Sequence, residues 1–233
     1  MQFDIRDAAA ALNVQESTVY RWIQERKLPA TGFAGQYRFG RSDLLEWATQ
    51  HNVPVAPGAL AKNLARSDCS SLRQCLSRGG IFHDVAGETK PEVLKAIVER
   101  LPLPDGCDRE MILQLFLARE AVGSSAVGGG VAIPHPRHPV VLCVDRPLLS
   151  LCFLRTSVPF GAADGRPVHA LFVLLSPTVQ NHLDVLARVA CLLRDEPFAR
   201  LLAEHPAAER VLAEVDRVER GFETYADIAT RQH

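Results

Sequence analysis

The chain has 233 residues, is 47% hydrophobic and 23% charged, and carries a formal net charge of -1. That length suits two domains of unequal size, and the apolar content can fill a core without disulfides or a metal. A chain that holds nucleic acid by bulk positive charge is excluded, so a DNA-binding surface must be a local patch.

In chain order, the alanine-rich stretch Ile5 to Leu12 reads as a helix, broken at Asn13-Val14-Gln15. A second helix follows from Glu16 to Lys27, with Val19, Trp22 and Ile23 at i, i+3, i+4 spacing on one face. Leu28-Pro29 ends it, because proline disfavours helical geometry in the residue before it. The run ATGFAGQYRF alternates aromatics between glycines and reads as a short β-hairpin. Ser42 or Asp43 can cap a third helix over Leu44–Gln50, and Asp43 with Glu46 three residues on has capping-box spacing. Trp22 and Trp47 read as core residues. Between residues 51 and 70 the pattern dissolves into prolines and glycine, as in a linker.

From Ser71 the signals alternate between helix and strand. Ser71–Arg78 reads as a helix stopped by Gly79-Gly80, and Ile81–Val85 as a strand. Thr89-Lys90-Pro91-Glu92 has capping-box spacing with proline in the first turn, so a helix should run to about Leu101. Asp108 caps another over Arg109–Glu120. A glycine-rich loop, Gly123–Gly130, leads into Val131-Ala132-Ile133-Pro134-His135. Val140–Val144, Leu148–Leu154 and His169–Leu175 have the continuous hydrophobicity of strands buried on both faces. Thr178–Leu193 reads as a helix, Asp195-Glu196-Pro197 opens another, and Pro206 begins a last one ending near Arg220. A frayed tail, 221–233, is expected to follow. The result is an α/β chain in which helices cover a sheet.

The six cysteines include no CxxC pair, which suits reduced thiols in a cytoplasmic protein. No cofactor or metal site is expected. MQFDIRD has no apolar stretch of the signal-peptide kind, and the apolar runs are too short for membrane insertion.

The stretch from Ile5 to Trp47, with STVYRWI, an LPA exit, YRF and DLLEW, resembles the excisionase/MerR-like helix-turn-helix family. The resemblance implies a winged helix-turn-helix DNA-binding domain over 1–50. Ser17, Thr18 and Arg21 then lie near the start of the recognition helix, where base edges and phosphates are met. Arg38 and Arg41 could contact backbone phosphate from the wing. Two features depart from the pattern. Gln15 stands where a Ser, Thr or Asp cap is expected. Residues 1–50 also balance six basic groups against six acidic ones.

AREAVGSSAVGGGVAIPH, then PVHALFVLLSP and NHLDVLARVACLL, resemble the active-site stretch, later strand and helix of phosphotransferase-system enzyme IIA domains of the mannitol/fructose and nitrogen-regulatory type. The resemblance implies an enzyme IIA (type 2) domain over 71–220, with a mixed sheet flanked by helices. It makes His135 the phosphoryl acceptor and His182 its neighbour. Arg119 and Ser124 become the polar surround, oriented by Glu120. Pro136-Arg137-His138-Pro139 follows His135 where many members have glycine, which stiffens the loop and removes backbone donors. His83 and His169 carry no motif and read as structural.

Together these resemblances imply a regulator that binds DNA and is phosphorylated by an HPr-like phosphocarrier. Two alternatives stay open. One is a sugar-transport component passing phosphate to a IIB domain. The other is a scaffold that binds regulated protein targets while His135 is idle. Helix-turn-helix readers often act as dimers, so an oligomer is compatible with the sequence.

Overall fold

The computed structural model describes residues 2–25, 28–32, 37–40, 43–44, 47–48, 51, 53, 71–136 and 144–230, without the side chains of 2 and 222–230. The chain divides into two compact units, Met1–Ser67 with Glu223–His233, and Asp68–Phe222.

In the first unit, α1 (Ile5–Ala11) opens with a reciprocal cap. The Asp7 N–H donates to Asp4 Oδ1 at 2.8 Å, and the Asp4 N–H to Asp7 Oδ2 at 3.2 Å. Two orphan donors are satisfied at once. Asn13 ends the helix with φ +50°, a conformation its short polar side chain tolerates. At the start of α2 (Glu16–Glu25) the Gln15 carbonyl accepts from Thr18 N at 2.9 Å, a 3₁₀-type bond that satisfies one orphan donor, and from Val19 N at 3.3 Å, the first regular bond of the helix.

Val19 and Trp22 of α2 bury against Leu12, Phe39, Leu44 and Trp47, and the two tryptophan rings lie 5.2 Å apart. Both tryptophans are therefore core, as the sequence implied. Thr31 and Arg38 exchange N–H···O bonds of 2.8 and 2.7 Å, forming the base of the predicted hairpin. An unpredicted strand, β1 (Gln2–Phe3), pairs antiparallel with β2 (Phe39–Gly40). Arg41, the hairpin tip and nearly all of the 51–70 linker lie outside the described residues.

The second unit begins with α3 (Leu72–Gly79), capped by Ser71, and β3 (Ile81–Val85). Next come α4 (Lys90–Arg100), capped by Thr89, and α5 (Arg109–Val122), capped by Asp108. Strands β4 (Ala126–Gly128), β5 (Val131–Ala132), β6 (Leu148–Val158) and β7 (Val168–Leu175) follow. Three helices close the unit: α6 (Val179–Leu193), α7 (Glu196–Leu202) and α8 (Ala208–Thr230).

The five-stranded sheet has the order β3-β6-β7-β5-β4, with parallel β3–β6 and β5–β7 pairs and antiparallel β6–β7 and β4–β5 pairs. Alternation along the strands sends side chains to two cores. Leu149, Leu151, Phe153, Phe172 and Leu174 pack against α3, α6, α7 and α8. Cys152, Leu154, Leu171, Val173 and Leu175 pack against α4 and α5. The mixed α/β sandwich expected from the sequence is thus present, and burial of β6 and β7 on both faces accounts for their unbroken apolar runs.

Four local expectations change. The second half of the glycine-rich loop is a hairpin, β4–β5, turned by Gly128, Gly129 and Gly130 at φ of +90°, +63° and +79°. At Gly130 a Cβ would also come within 2.4 Å of the His169 ring, so glycine is required twice over. Val144 lies outside any strand, and residues 140–143 of that predicted element lie outside the described residues. The last helix does not stop near Arg220 but runs through Gly221 to Thr230, so the backbone up to Thr230 is not a frayed tail. Finally, Cys107 is disulfide-bonded where six thiols were expected.

Candidate functional site

His135 follows directly from β5 and is fixed by its neighbours. Ile133 N–H donates to the Ser125 carbonyl at 2.9 Å, and Leu174 N–H donates to the Pro134 carbonyl at 3.1 Å. The chain is thereby held between β4 and β7 up to the residue before the histidine. The His135 Nδ1–H donates to the Ile133 carbonyl at 2.6 Å. A carbonyl can only accept, so this bond fixes the tautomer and leaves the Nε2 lone pair as the nucleophilic position.

His182 comes from the first turn of α6, and its ring centroid stands 5.0 Å from that of His135, tilted by 52°. Both rings are buried, 3% exposed. Burial, reinforced by the Arg119 charge, holds the His135 pKa down at about 4, against the opposing effects of the Ile133 carbonyl and Glu120. Burial, then the neighbouring His135, holds His182 at about 3. Near neutral pH both imidazoles are uncharged.

Arg119 and Glu120 end α5, and both are buried. One Arg119 nitrogen donates to the Gly123 carbonyl at 2.8 Å, closing the helix end where the macrodipole favours a cation. The Glu120 carboxylate ties the turn after α5 to the start of α4. Its Oε1 accepts the Ser125 N–H at 2.9 Å and its Oε2 the Lys90 ammonium at 2.9 Å. Lys90 Nζ also donates to the Phe160 carbonyl at 3.0 Å, above the Phe160 ring. The Ser124 hydroxyl donates to that same carbonyl at 2.6 Å and accepts the Ala126 N–H at 3.0 Å. Ser124 and Glu120 therefore hold the turn that carries β4 into the site.

Sequence reasoning missed Lys90. The signal was a lysine in the first turn of α4, where the helix dipole disfavours a cation. His83 and His169 stand apart, in a column of stacked rings with Phe153 and His205.

In the first unit, Ser17 and Arg21 are exposed on the face of α2 away from Val19 and Trp22, and Thr18 is half-buried on the flank beside Trp22. Arg21 faces Glu25 at 3.9 Å in an exposed i,i+4 pair. Arg38 is exposed on the hairpin arm. Tyr20 is exposed beside Tyr37, ring centroids 6.0 Å apart, a pairing the sequence did not suggest. Among the described residues, no three metal-ligating side chains come together, and no helix is long and apolar enough to cross a membrane.

The five-stranded mixed sheet with a histidine pair at the end of its β5 strand defines the second unit as an enzyme IIA-like fold, and the paired helices α1 and α2 make the first a helix-turn-helix. Residues 74–217 match the family described as "Phosphoenolpyruvate-dependent sugar phosphotransferase system, EIIA 2", and the chain belongs to it. Residues 3–52 match a helix-turn-helix domain family.

Among similar proteins, a nitrogen regulatory protein of Pseudomonas aeruginosa is 34% identical over 154 residues, spanning 64% of this chain and 97% of that one. One from Escherichia coli K12 is 33% identical over 135 residues, 56% of this chain and 80% of that one. The crystal structure of nitrogen regulatory protein IIA-Ntr from Neisseria meningitidis matches with a TM-score of 0.54 at 29% identity, covering 62% of this chain and 98% of that chain.

Proposed function

We propose that this chain is a cytoplasmic transcriptional regulator linked to the phosphotransferase system. In this reading a DNA-binding domain (1–50) is joined by a linker (51–70) to a IIA domain (71–220) that is phosphorylated on His135. The observation that carries it is the committed Nδ1 of a neutral, buried histidine, 5.0 Å from a second histidine, in a chain that also holds a helix-turn-helix.

The donor is an HPr-like phosphocarrier charged from phosphoenolpyruvate. The His135 Nε2 lone pair attacks phosphorus, and the donor's bond to phosphorus breaks with its electron pair left on the donor. The Nδ1–H···O=C bond to Ile133 spreads the positive charge that develops on the ring. Arg119 offsets the charge on the equatorial oxygens, while His182 borders the group. Roughly two negative charges are added, a change large enough to act as a switch. Ser17, Thr18 and Arg21 read DNA, with Arg38 and Arg41 on phosphates. The relatives named nitrogen regulatory protein favour the nitrogen branch.

Incubation with phosphoenolpyruvate, enzyme I and the phosphocarrier should label wild type with acid-labile phosphate. Unlabelled wild type, or a His135→Ala variant labelled equally, rejects the reading. Genome-wide DNA capture with wild type and His135→Asp tests the switch. A second reading, onward transfer to a IIB domain, is favoured by the sugar-system description of the matched family. Transfer from the labelled protein to a IIB domain would support it.

A further inference from the structure

Among the described residues, the end of the sheet that carries His135 contains a set of buried polar side-chain atoms without hydrogen-bond partners. Ser125 is 2% exposed and Ser176 1% exposed. Among the described residues, neither hydroxyl has a hydrogen-bond partner, and neither does His182 Nδ1. Most buried polar side-chain atoms in proteins are paired, and each exception carries a cost. Three such atoms at one end of one sheet face call for a common cause.

Strand alternation places them together. Val131 and Ile133 face the core beneath α6, as do Phe172 and Leu174. Just past the strand ends, two residues beyond Ile133 and Leu174, His135 and Ser176 continue the alternation on the same side, where His135 meets His182 of α6. In the β4–β5 hairpin Ala126 opposes Ala132, and Ile133 N–H bonds to the Ser125 carbonyl. Ala126 belongs to the opposite core, while Val127 packs on the α6 side, so Ser125 points to that side too.

In the β5–β7 pair, Val131 opposes Ala170 and Ala132 opposes Leu171, a register that the Leu174–Pro134 bond extends. Ser125, just before β4, and Ser176, just after β7, therefore flank His135 diagonally. His182 lies one helical turn before Val185 and Leu186, which face the same core. The Ser125 N–H is already given to Glu120 and fixes the backbone, leaving the hydroxyl rotor to its own partner.

We propose that the hydroxyls of Ser125 and Ser176 donate hydrogen bonds to oxygens of the phosphoryl group on His135. The inference rests on the phosphorylation of His135 proposed above. In the transfer the donor's bond to phosphorus breaks, the Nε2–phosphorus bond forms, and the two O–H groups keep their protons throughout. Their part is to be aimed in advance at charge that arrives with the phosphoryl group. The unphosphorylated site holds two unmet donors, and phosphorylation satisfies them.

The test uses the full chain, phosphoenolpyruvate, enzyme I and the phosphocarrier, with Ser125→Ala and Ser176→Ala variants. Each loss should shift the phosphotransfer equilibrium toward the carrier by about tenfold, the scale of one charge-assisted hydrogen bond. The unphosphorylated variants should melt at or above the wild-type temperature, since an unpaired buried group has gone. A merely structural serine would lower the melting temperature and leave the equilibrium alone, and that result overturns the proposal. Should a variant not fold, proton NMR of wild type decides the matter. Slowly exchanging hydroxyl protons coupled to phosphorus are expected after phosphorylation, and their absence overturns the inference. Failure of wild type to label rejects the phosphorylation reading itself, and this inference with it.

Discussion

The candidate sites of the two units treat charge in opposite ways. In the IIA unit, Arg119, Glu120 and His135 are buried and held by directed hydrogen bonds to the Gly123 carbonyl, the Ser125 N–H and the Ile133 carbonyl. In the helix-turn-helix unit, Arg21 and Arg38 stand in solvent, and the Arg21–Glu25 pair is long and exposed. A phosphoryl group needs donors fixed before it arrives. Under the proposed DNA-binding function, a groove would instead be met by side chains that can adjust, on a helix packed from behind through Val19 and Trp22. Charge that is locked by packing and charge that is left free are thus separate devices in one chain.

The contrast is broken most sharply at His135. His135→Ala should abolish phosphate labelling while leaving DNA retardation by the unphosphorylated protein intact. Next in size is Glu120→Ala, which deprives Lys90 of its carboxylate and leaves the Ser125 N–H unbonded. Breaking such a buried pair should cost about 3 kcal/mol in denaturant unfolding. The matched change in the other unit, Glu25→Ala, should cost less than about 0.5 kcal/mol, because its pair is exposed.

Acid sharpens the contrast. The folded chain holds the His135 pKa at about 4 and that of His182 at about 3, both down from 6.5. The unfolded chain takes up their protons first. Stability should therefore be full above about pH 6.5 and fall between there and pH 4, by roughly 1.4 kcal/mol per pH unit for each histidine. His182→Gln should flatten that slope by about half in urea melts at several pH values. The smallest effect belongs to Arg38→Ala. It should lower the slope of log affinity against log salt by about 1 without altering phosphorylation, as gel retardation across a salt series can show.

What the sequence disclosed was local. Thr89 and Asp108 cap the helices that follow them and Asp195 opens α7, because a cap bonds within three residues and its pattern is written in order. Family resemblance supplied His135 and His182. What stayed hidden depended on distance along the chain. Lys90 meets Glu120 thirty residues away, and nothing in either neighbourhood announces the other. The unbonded hydroxyls of Ser125 and Ser176 have meaning only once two strands flank a third. The β4–β5 hairpin was concealed for another reason. Its strands are two and three residues long, and three glycines in a row read as loop.

The bonds between α3 and α8 bear on how the ends of the IIA unit are held. The Glu219 carboxylate on α8 accepts the Leu72 N–H at 2.7 Å and the Arg73 N–H at 3.3 Å, capping α3 from the far end of the unit. Arg73 adds an ion pair to Asp216 at 2.5 Å. The first and last elements are thereby buttoned together at one corner. A unit built so behaves as a cassette, which a chain can enter and leave at the same point. A circular permutant that links this corner with a short loop and opens the chain elsewhere on the surface should keep the fold, and with it the histidine pair.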